Sequence, residues 1–418
     1  MKKITKFLPI LLILTFQISC QKIEVINTEN SPHTRPLTLQ ETKTIHGANN
    51  FAFNSFNKIN SLNGDKNILI SPFSIGMAVC MAYNGADGTT KDGIKKALDM
   101  EGLSNLEIDS SFKSLSTLLM NMDKTVSFTS ANSMYYNNKY TLQNDFINLN
   151  KNFFNAEVKG LDFADVASVK VINDWVNNKT NGKITDIINK LDPKYILILL
   201  NAIYFKGTWT YKFEETLQEN FNLLDGSIKQ TGFLSSKSSK YLLYSDTSKT
   251  LVDLPYGNKQ FSMTLIMPNG NNTLENLIGE LNYKNLNYWI GQADTSGLQL
   301  KIPKFKMSFS YNNKEFNKVL SGMGMAEAFS DYADFSKMVV DQKKGDLKID
   351  EVIHKTFIDV NETGTEAAAV TAVLVVGTTA FLPHPLQIIN FNKPYIYLIR
   401  EKNTGAILFI GKMMNPTL

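Results

Sequence analysis

Residues 361–392 read NETGTEAAAVTAVLVVGTTAFLPHPLQIINFN. After Glu362 the stretch carries one formal charge, Glu366, and no Lys or Arg. Small residues from Thr365 to Ala369 pass into a β-branched run from Val370 to Val376, with no proline before Pro383. β-Branched side chains favour a strand, yet the run closes on Gly377-Thr378-Thr379 and two prolines, the residues of an exposed loop. A segment suited to both loop and central strand implies a stored conformational change. Three plainer readings compete. An ordinary core strand would be oddly long between Gly364 and Gly377. A membrane helix would have only the 16 uncharged residues from Ala367 to Leu382, where about 20 are needed. An aggregation-prone linker shares the same strand propensity and stays open.

Outward from this stretch, the composition is that of a globular protein: 418 residues, 43% apolar, with a net charge of +4. A chain this long buries roughly three quarters of its unfolded surface. The charge excess is small and scattered, so nucleic acid is not an expected partner. The N-terminus differs. Lys2, Lys3 and Lys6 precede the apolar stretch Phe7 to Phe16, which has the form of a secretory signal and is short for a membrane span. Cys20 ends it, in the context Gln17-Ile18-Ser19-Cys20. Residues 1–19 are therefore read as a signal peptide and Cys20 as the lipid anchor of a bacterial lipoprotein, although Gln17 stands where such signals usually have Leu. An ordinary secretory signal and a retained anchor are the alternatives. The expectation is an exported protein of the cell envelope, an outer-membrane lipoprotein or extracellular, touching a membrane only through that lipid.

Residues 20–43 are polar with Pro32 and Pro36 and read as a tether. The one other cysteine, Cys80, lies in the apolar stretch Gly76 to Tyr83 and is expected to be a small buried hydrophobe. With Cys20 lipidated, no disulfide forms within one chain. Four histidines and two cysteines, with no H-E-x-x-H and no C-x-x-C, make no zinc site. There is neither a G-x-S-x-G nor a G-x-x-x-x-G-K motif, so neither a cofactor nor enzymatic activity is expected.

Helical spacing comes first along the chain: Ala48, Phe51, Ala52, Phe56 and Ile59, then Ile75, Val79, Ala82 and Tyr83, then Leu115, Leu118, Leu119 and Met122, then Val169, Ile172, Trp175 and Val176. Strand signals follow. Tyr195 to Phe205 is a nearly continuous apolar run suited to a strand buried on both faces. Leu251 to Leu254, Phe261 to Met267, Leu298 to Ile302 and the alternating Asp346 to Val360 come next. Tyr395 to Ile399 and Ala406 to Ile410 flank Asn403-Thr404-Gly405, a hairpin signal. With no internal boundary, residues 44–418 read as one α+β domain.

Five blocks in this domain, taken in order, resemble the serpins. Asn67 to Ile75 (NILISPFSI) is similar to the family's first strand and buried helix. Trp175 to Ile184 (WVNNKTNGKI) resembles the end of the helix lying over the main sheet, and Asn201 to Trp209 (NAIYFKGTW) resembles its third strand. Glu362 to Ala369 (ETGTEAAA) is similar to the reactive-loop hinge. Phe391 to Tyr395, with Leu408 to Lys412 and Pro416, matches the C-terminal signature. The resemblance implies three sheets, about nine helices and an exposed reactive-centre loop at about 362–390. It also implies a monomeric suicide inhibitor whose partners are target proteases. The protease cleaves the loop and becomes acylated, and the freed segment enters the large sheet as a new strand before deacylation.

The residues suit that role. Alternation along a strand puts Thr365, Ala367, Ala369, Thr371, Val373 and Val375 on the buried face and Glu366, Ala368 and Val370 outside. Small residues enter first, and the one charge stays outward. Gly364 is expected to absorb the backbone reversal. The resemblance places Ser71, Ser74, Asn201 and His354 together beneath the sheet as a hydrogen-bond network gating its opening, and Trp209 where the loop first enters. A Ser71–His354 hydrolase reading has the residue types but lacks an orienting acid. Counting 16 residues from Glu362 gives Thr378–Thr379 as the reactive bond. A loop about five residues longer than in familiar members keeps Val375, Val376, Phe381 and Leu382 as alternatives. Without a basic residue the loop does not suit a trypsin-like pocket; elastase- or subtilisin-like serine proteases are the expected targets, while Phe381 or Leu382 would suit a chymotrypsin-like pocket or the papain-like pocket of a cysteine protease. The rival is a non-inhibitory member of the same fold, a carrier, chaperone or structural protein.

Overall fold

The computed structural model describes residues 32–237, 239–311, 314–365 and 387–417. In chain order the first elements are α1 (Leu39–Leu62), β1 (Ile68–Ile70), α2 (Pro72–Tyr83), α3 (Gly88–Ala97), α4 (Asn105–Asn121), β2 (Val126–Asn137), α5 (Asn144–Phe154), β3 (Glu157–Leu161) and α6 (Ala167–Lys179). Then follow β4 (Leu197–Thr208), β5 (Glu215–Asn222), β6 (Ile228–Ser235), β7 (Ser239–Ser245), β8 (Lys249–Pro255), β9 (Phe261–Pro268), α7 (Leu274–Glu280), α8 (Tyr283–Gly291), β10 (Asp294–Pro303) and β11 (Phe305–Tyr311). The last are α9 (Glu315–Leu320), β12 (His354–Asn361), β13 (Gly364–Thr365), β14 (Gln387–Asn390), β15 (Tyr395–Glu401) and β16 (Ile407–Met413).

Ordered structure begins before residue 44. Thr38 and Glu41 form a capping box that starts α1 at Leu39. The strap ahead of it is held too. The His33 N–H donates to the Met122 carbonyl at 2.9 Å, Arg35 pairs with Glu41, and Leu37 packs on the core. Residues 32–43 therefore belong to the fold, a correction to the tether boundary.

The nine α-helices of the described residues surround two hydrogen-bonded sheets. The six-stranded sheet runs β11-β12-β13-β4-β2-β3. The ten-stranded one runs β1-β16-β15-β9-β8-β7-β10-β6-β5, with β14 beside β10. The expected three sheets are present in this sense: β10 pairs β7 through Asp294–Leu298 and β6 through Lys301–Pro303. One strand thus joins the long sheet to a smaller wing of β14, β10, β6 and β5.

The main core lies between the sheets, where Phe205 of β4 meets Tyr256, Phe261 and Phe409 edge-on at ring-centroid distances of 5.1, 5.8 and 6.5 Å. A second core packs Ile172, Trp175 and Val176 of α6 over Tyr135, Ile198, Leu200 and Ala202. β4 is thereby covered on both faces, which explains its near-continuous apolar run. The β15–β16 hairpin forms where its turn residues place it, with Gly405 at φ 74°. The alternation from Asp346 to Val360 is strand only from His354. Residues 346–353 are irregular because other groups take their backbone: the Asn317 side chain bonds the Asp350 carbonyl and the Val352 N–H, and Ile349 donates to Ala328.

Candidate functional site

The site is built on β13, the shortest strand among the described residues. β12 turns back through Glu362 and Thr363, and β13 pairs with it at Asn361↔Gly364 and Val360↔Thr365. On its other side β13 pairs with β4 at Gly364↔Thr208 and Thr365↔Gly207. Beyond Thr365 β4 continues to Leu197 and β12 to His354, and among the described residues no ladder joins those two stretches. The two strands run parallel, and at Gly364–Thr365 they stand one strand's width apart with β13 between them.

Thr365 is 3% exposed, and its hydroxyl shares a 2.5 Å hydrogen bond with that of Tyr256. Its side chain therefore points into the main core. Trp209 stacks on the same Tyr256 ring, 4.4 Å away at 13°. Its indole N–H donates to the Asn361 carbonyl and its backbone N–H to the Thr363 carbonyl, both at 2.9 Å. Trp209 thus holds the turn into the sheet. Gly364 serves differently from the expectation. Its φ is not positive; instead a Cβ there would lie 2.0 Å from the Gly207 carbonyl oxygen. Glycine is needed for close strand approach, not for reversal.

Glu362 closes the turn. The Lys304 ammonium reaches both its oxygens at 2.9 and 3.0 Å, and the Thr216 hydroxyl donates at 2.5 Å. Burial works against the charge, but those donors outweigh it and hold the carboxyl below its ordinary range.

The four residues expected as one network form two groups, one on each side of the gap. His354 Nε2 accepts the Ser71 N–H at 3.1 Å, while the Ser71 hydroxyl donates to the Leu408 carbonyl at 2.8 Å. The His354 ring is near-parallel to that of Tyr311, tilted by 18° with centroids 6.2 Å apart. Burial pushes its imidazole down to about 3, so it is neutral. Across the gap, the Ser74 hydroxyl donates to the Asn201 carbonyl at 3.4 Å. The Asn201 amide donates to Ser130 and Asn132 at 2.9 and 2.7 Å, and its buried Oδ1 finds no partner among the described residues. A hydrolytic Ser71–His354 dyad is not formed, since Nε2 is taken by a backbone N–H and the hydroxyl by a carbonyl. Tyr256, Lys304, Thr216, Ser130 and Asn132 escaped the sequence reading because nothing local marks them.

Glu366, Ala367, Ala368, Ala369, Val375, Val376, Thr378, Thr379, Phe381, Leu382 and Cys20 lie outside the described residues. Cys80 is fully buried, and burial raises its thiol well above the ordinary value. Among the described residues no cluster of His, Cys, Asp or Glu is placed to hold a metal, and no helix is long and apolar enough to cross a membrane.

Residues 46–416 match the family described as Serpin (serine protease inhibitor). The chain is 30% identical over 385 residues to an uncharacterised serpin-like protein of Thermococcus kodakarensis, covering 90% of this chain and 87% of that one. It is 33% identical over 373 residues to the corticosteroid-binding globulin of Homo sapiens, covering 88% and 89%. Among solved structures, the native state of the thermophilic serpin tengpin superposes with a TM-score of 0.80 at 29% identity, over 92% of this chain and 97% of that one.

Proposed function

The chain belongs to the serpin family, and from that membership we propose that it is a suicide-substrate inhibitor of serine endopeptidases and not itself an enzyme. The reading is carried by Thr365 seated between β4 and β12, with the backbone edges of both strands continuing past it. Were that register continued for six more residues, Thr371 would stand opposite Asn201 and His354. A hydroxyl there would supply the partner that Asn201 Oδ1 lacks, and the residues from Ala367 to Ala369 offer no bulk against the zipping. A loop cut beyond this stretch would add a strand to the middle of the sheet, carrying an acylated protease with it.

The target class follows from charge. Between Thr363 and Asn392 there is no Lys or Arg, so an acid in a specificity pocket would be left buried and unpaired, which costs several kcal/mol. Thr378–Thr379 and its neighbours Val375 and Val376 suit small apolar pockets of the elastase or subtilisin type; Phe381 and Leu382 would suit a chymotrypsin-like or papain-like pocket. Incubation with neutrophil elastase, subtilisin and trypsin, followed by a denaturing gel, is expected to show a covalent complex with the first two. Mass spectrometry of the released peptide identifies the bond. A covalent complex with trypsin alone would sink the assignment.

A non-inhibitory carrier is the second reading, favoured by a relative that is named a binding globulin; it predicts cleavage by all suitable proteases with no covalent complex. We also propose that the inhibitor works as a monomer at the cell envelope, held by lipid on Cys20. Labelled palmitate incorporated by the wild type and lost in Cys20→Ala is the expected sign.

A further inference from the structure

The connection from Trp209 to Glu215 spans both ends of the loop. At one end the Trp209 N–H bonds Thr363, and the Phe213 N–H bonds Glu362. At the other, Glu214 donates to the Ser235 carbonyl and its carboxylate accepts the Lys237 N–H at 2.7 Å. β7 lies beside β10 there, with Ser239 and Gln387 flanking Leu298 from opposite sides. Five lysines border this path. Lys206 precedes Gly207, the partner of Thr365, and Lys212 precedes Phe213. The Lys259 ammonium bonds the Tyr211 hydroxyl at 3.1 Å. Lys240 pairs with Gly297 of β10, and Lys237 lies three residues before it. Lys212, Lys237, Lys240 and Lys259 are exposed, and none of the five is paired with a carboxylate among the described residues. Among the described residues the exposed acids on the path are Glu214, which already holds the Lys237 N–H, and Glu215.

We propose that these lysines form an electrostatic docking rim for a protease whose active-site cleft is bordered by carboxylates. The inference rests on the inhibitor reading and adds the chemical character of the partner. A protease that takes the loop into its cleft must approach over this rim. Unpaired exposed lysines there raise the encounter rate of an acidic surface and slow that of a basic one. The loop itself selects by side-chain size; the rim selects by charge. The effect belongs to association and falls as salt shortens the screening length from about 10 Å at 0.1 M to about 3 Å at 1 M.

The test measures rates of covalent complex formation with two subtilisin variants, one carrying added aspartates around its cleft and one carrying lysines at the same positions. The wild type is expected to trap the aspartate-rimmed form at least about 10-fold faster at about 0.1 M salt, and the two at rates within about twofold at 1 M. Lys237→Glu with Lys240→Glu, both exposed, should invert the preference without shifting the thermal midpoint. Equal rates for the two subtilisins at low salt, or a preference that the double variant leaves unchanged, overturn the rim alone. No covalent complex with either form overturns the inhibitor reading, and the rim with it.

Discussion

His354 shows how much one side chain carries here. It is 5% exposed and accepts a backbone N–H through Nε2, so the folded protein needs it neutral. Burial holds it at about 3, against about 6.5 in an unfolded chain. The unfolded state therefore binds the extra proton between those values, and stability present above pH 6.5 is lost as pH falls toward 3, at up to about 1.4 kcal/mol per pH unit. His354→Phe removes the acceptor of the Ser71 N–H and costs about 1–3 kcal/mol at pH 8. It should also flatten the acid decline. Thermal midpoints taken across pH 3 to 8 check both, and an acid slope as steep in the variant as in the wild type would place the titration elsewhere.

At the scale of elements, the hinge reading turns on one parity. The sequence rule of alternation assigns Thr365 to the buried face, and its bond to Tyr256 sits on that face. An Arg at 365 would need its charge buried among Tyr256, Trp209 and Gly207 for β13 to form, at a cost of several kcal/mol. Thr365→Arg is therefore expected to be cut by the target protease but to release it, with most molecules consumed as substrate, whereas Thr365→Ser keeps trapping. Covalent complex per mole of protease measures this; full trapping by the Arg variant would mean the hinge enters the other way round. Parity, the β4 run and the β15–β16 turn were legible because periodicity and turn chemistry are local. The capping box Thr38–Glu41 was equally local, but the prolines and polarity around it argued for a tether. Residues 346–353 alternate as a strand does, yet the Asn317 side chain holds them irregular. The split of Ser71–His354 from Ser74–Asn201, and the steric need for Gly364, depend on which strands lie side by side. No single-chain pattern reports that.

At the scale of the whole molecule, a strand's worth of pairing between β4 and β12 has no partner beyond Thr365 among the described residues. Beyond Thr365 the edge of β4 runs from Lys206 to Leu197 and that of β12 from Asp359 to His354. A strand filling that gap would bond to both. At about 1 kcal/mol net for each hydrogen bond, the two ladders contribute on the order of 10 kcal/mol, before any apolar burial by Val373 and Val375. The uncut chain joins Thr365 to Gln387 of β14, a strand of the other sheet, so cleavage frees the segment to enter. Activity would then depend on a barrier rather than on the lowest free energy. For a domain of this size each kcal/mol moves the thermal midpoint by roughly 1.3 °C. Cutting within Val375 to Leu382 with a protease that is not trapped should thus raise the midpoint by roughly 13 °C, read by scanning calorimetry on cut and uncut protein. A cut form melting at the uncut temperature would mean that the strand stays outside, and the inhibitory mechanism would lose its driving force.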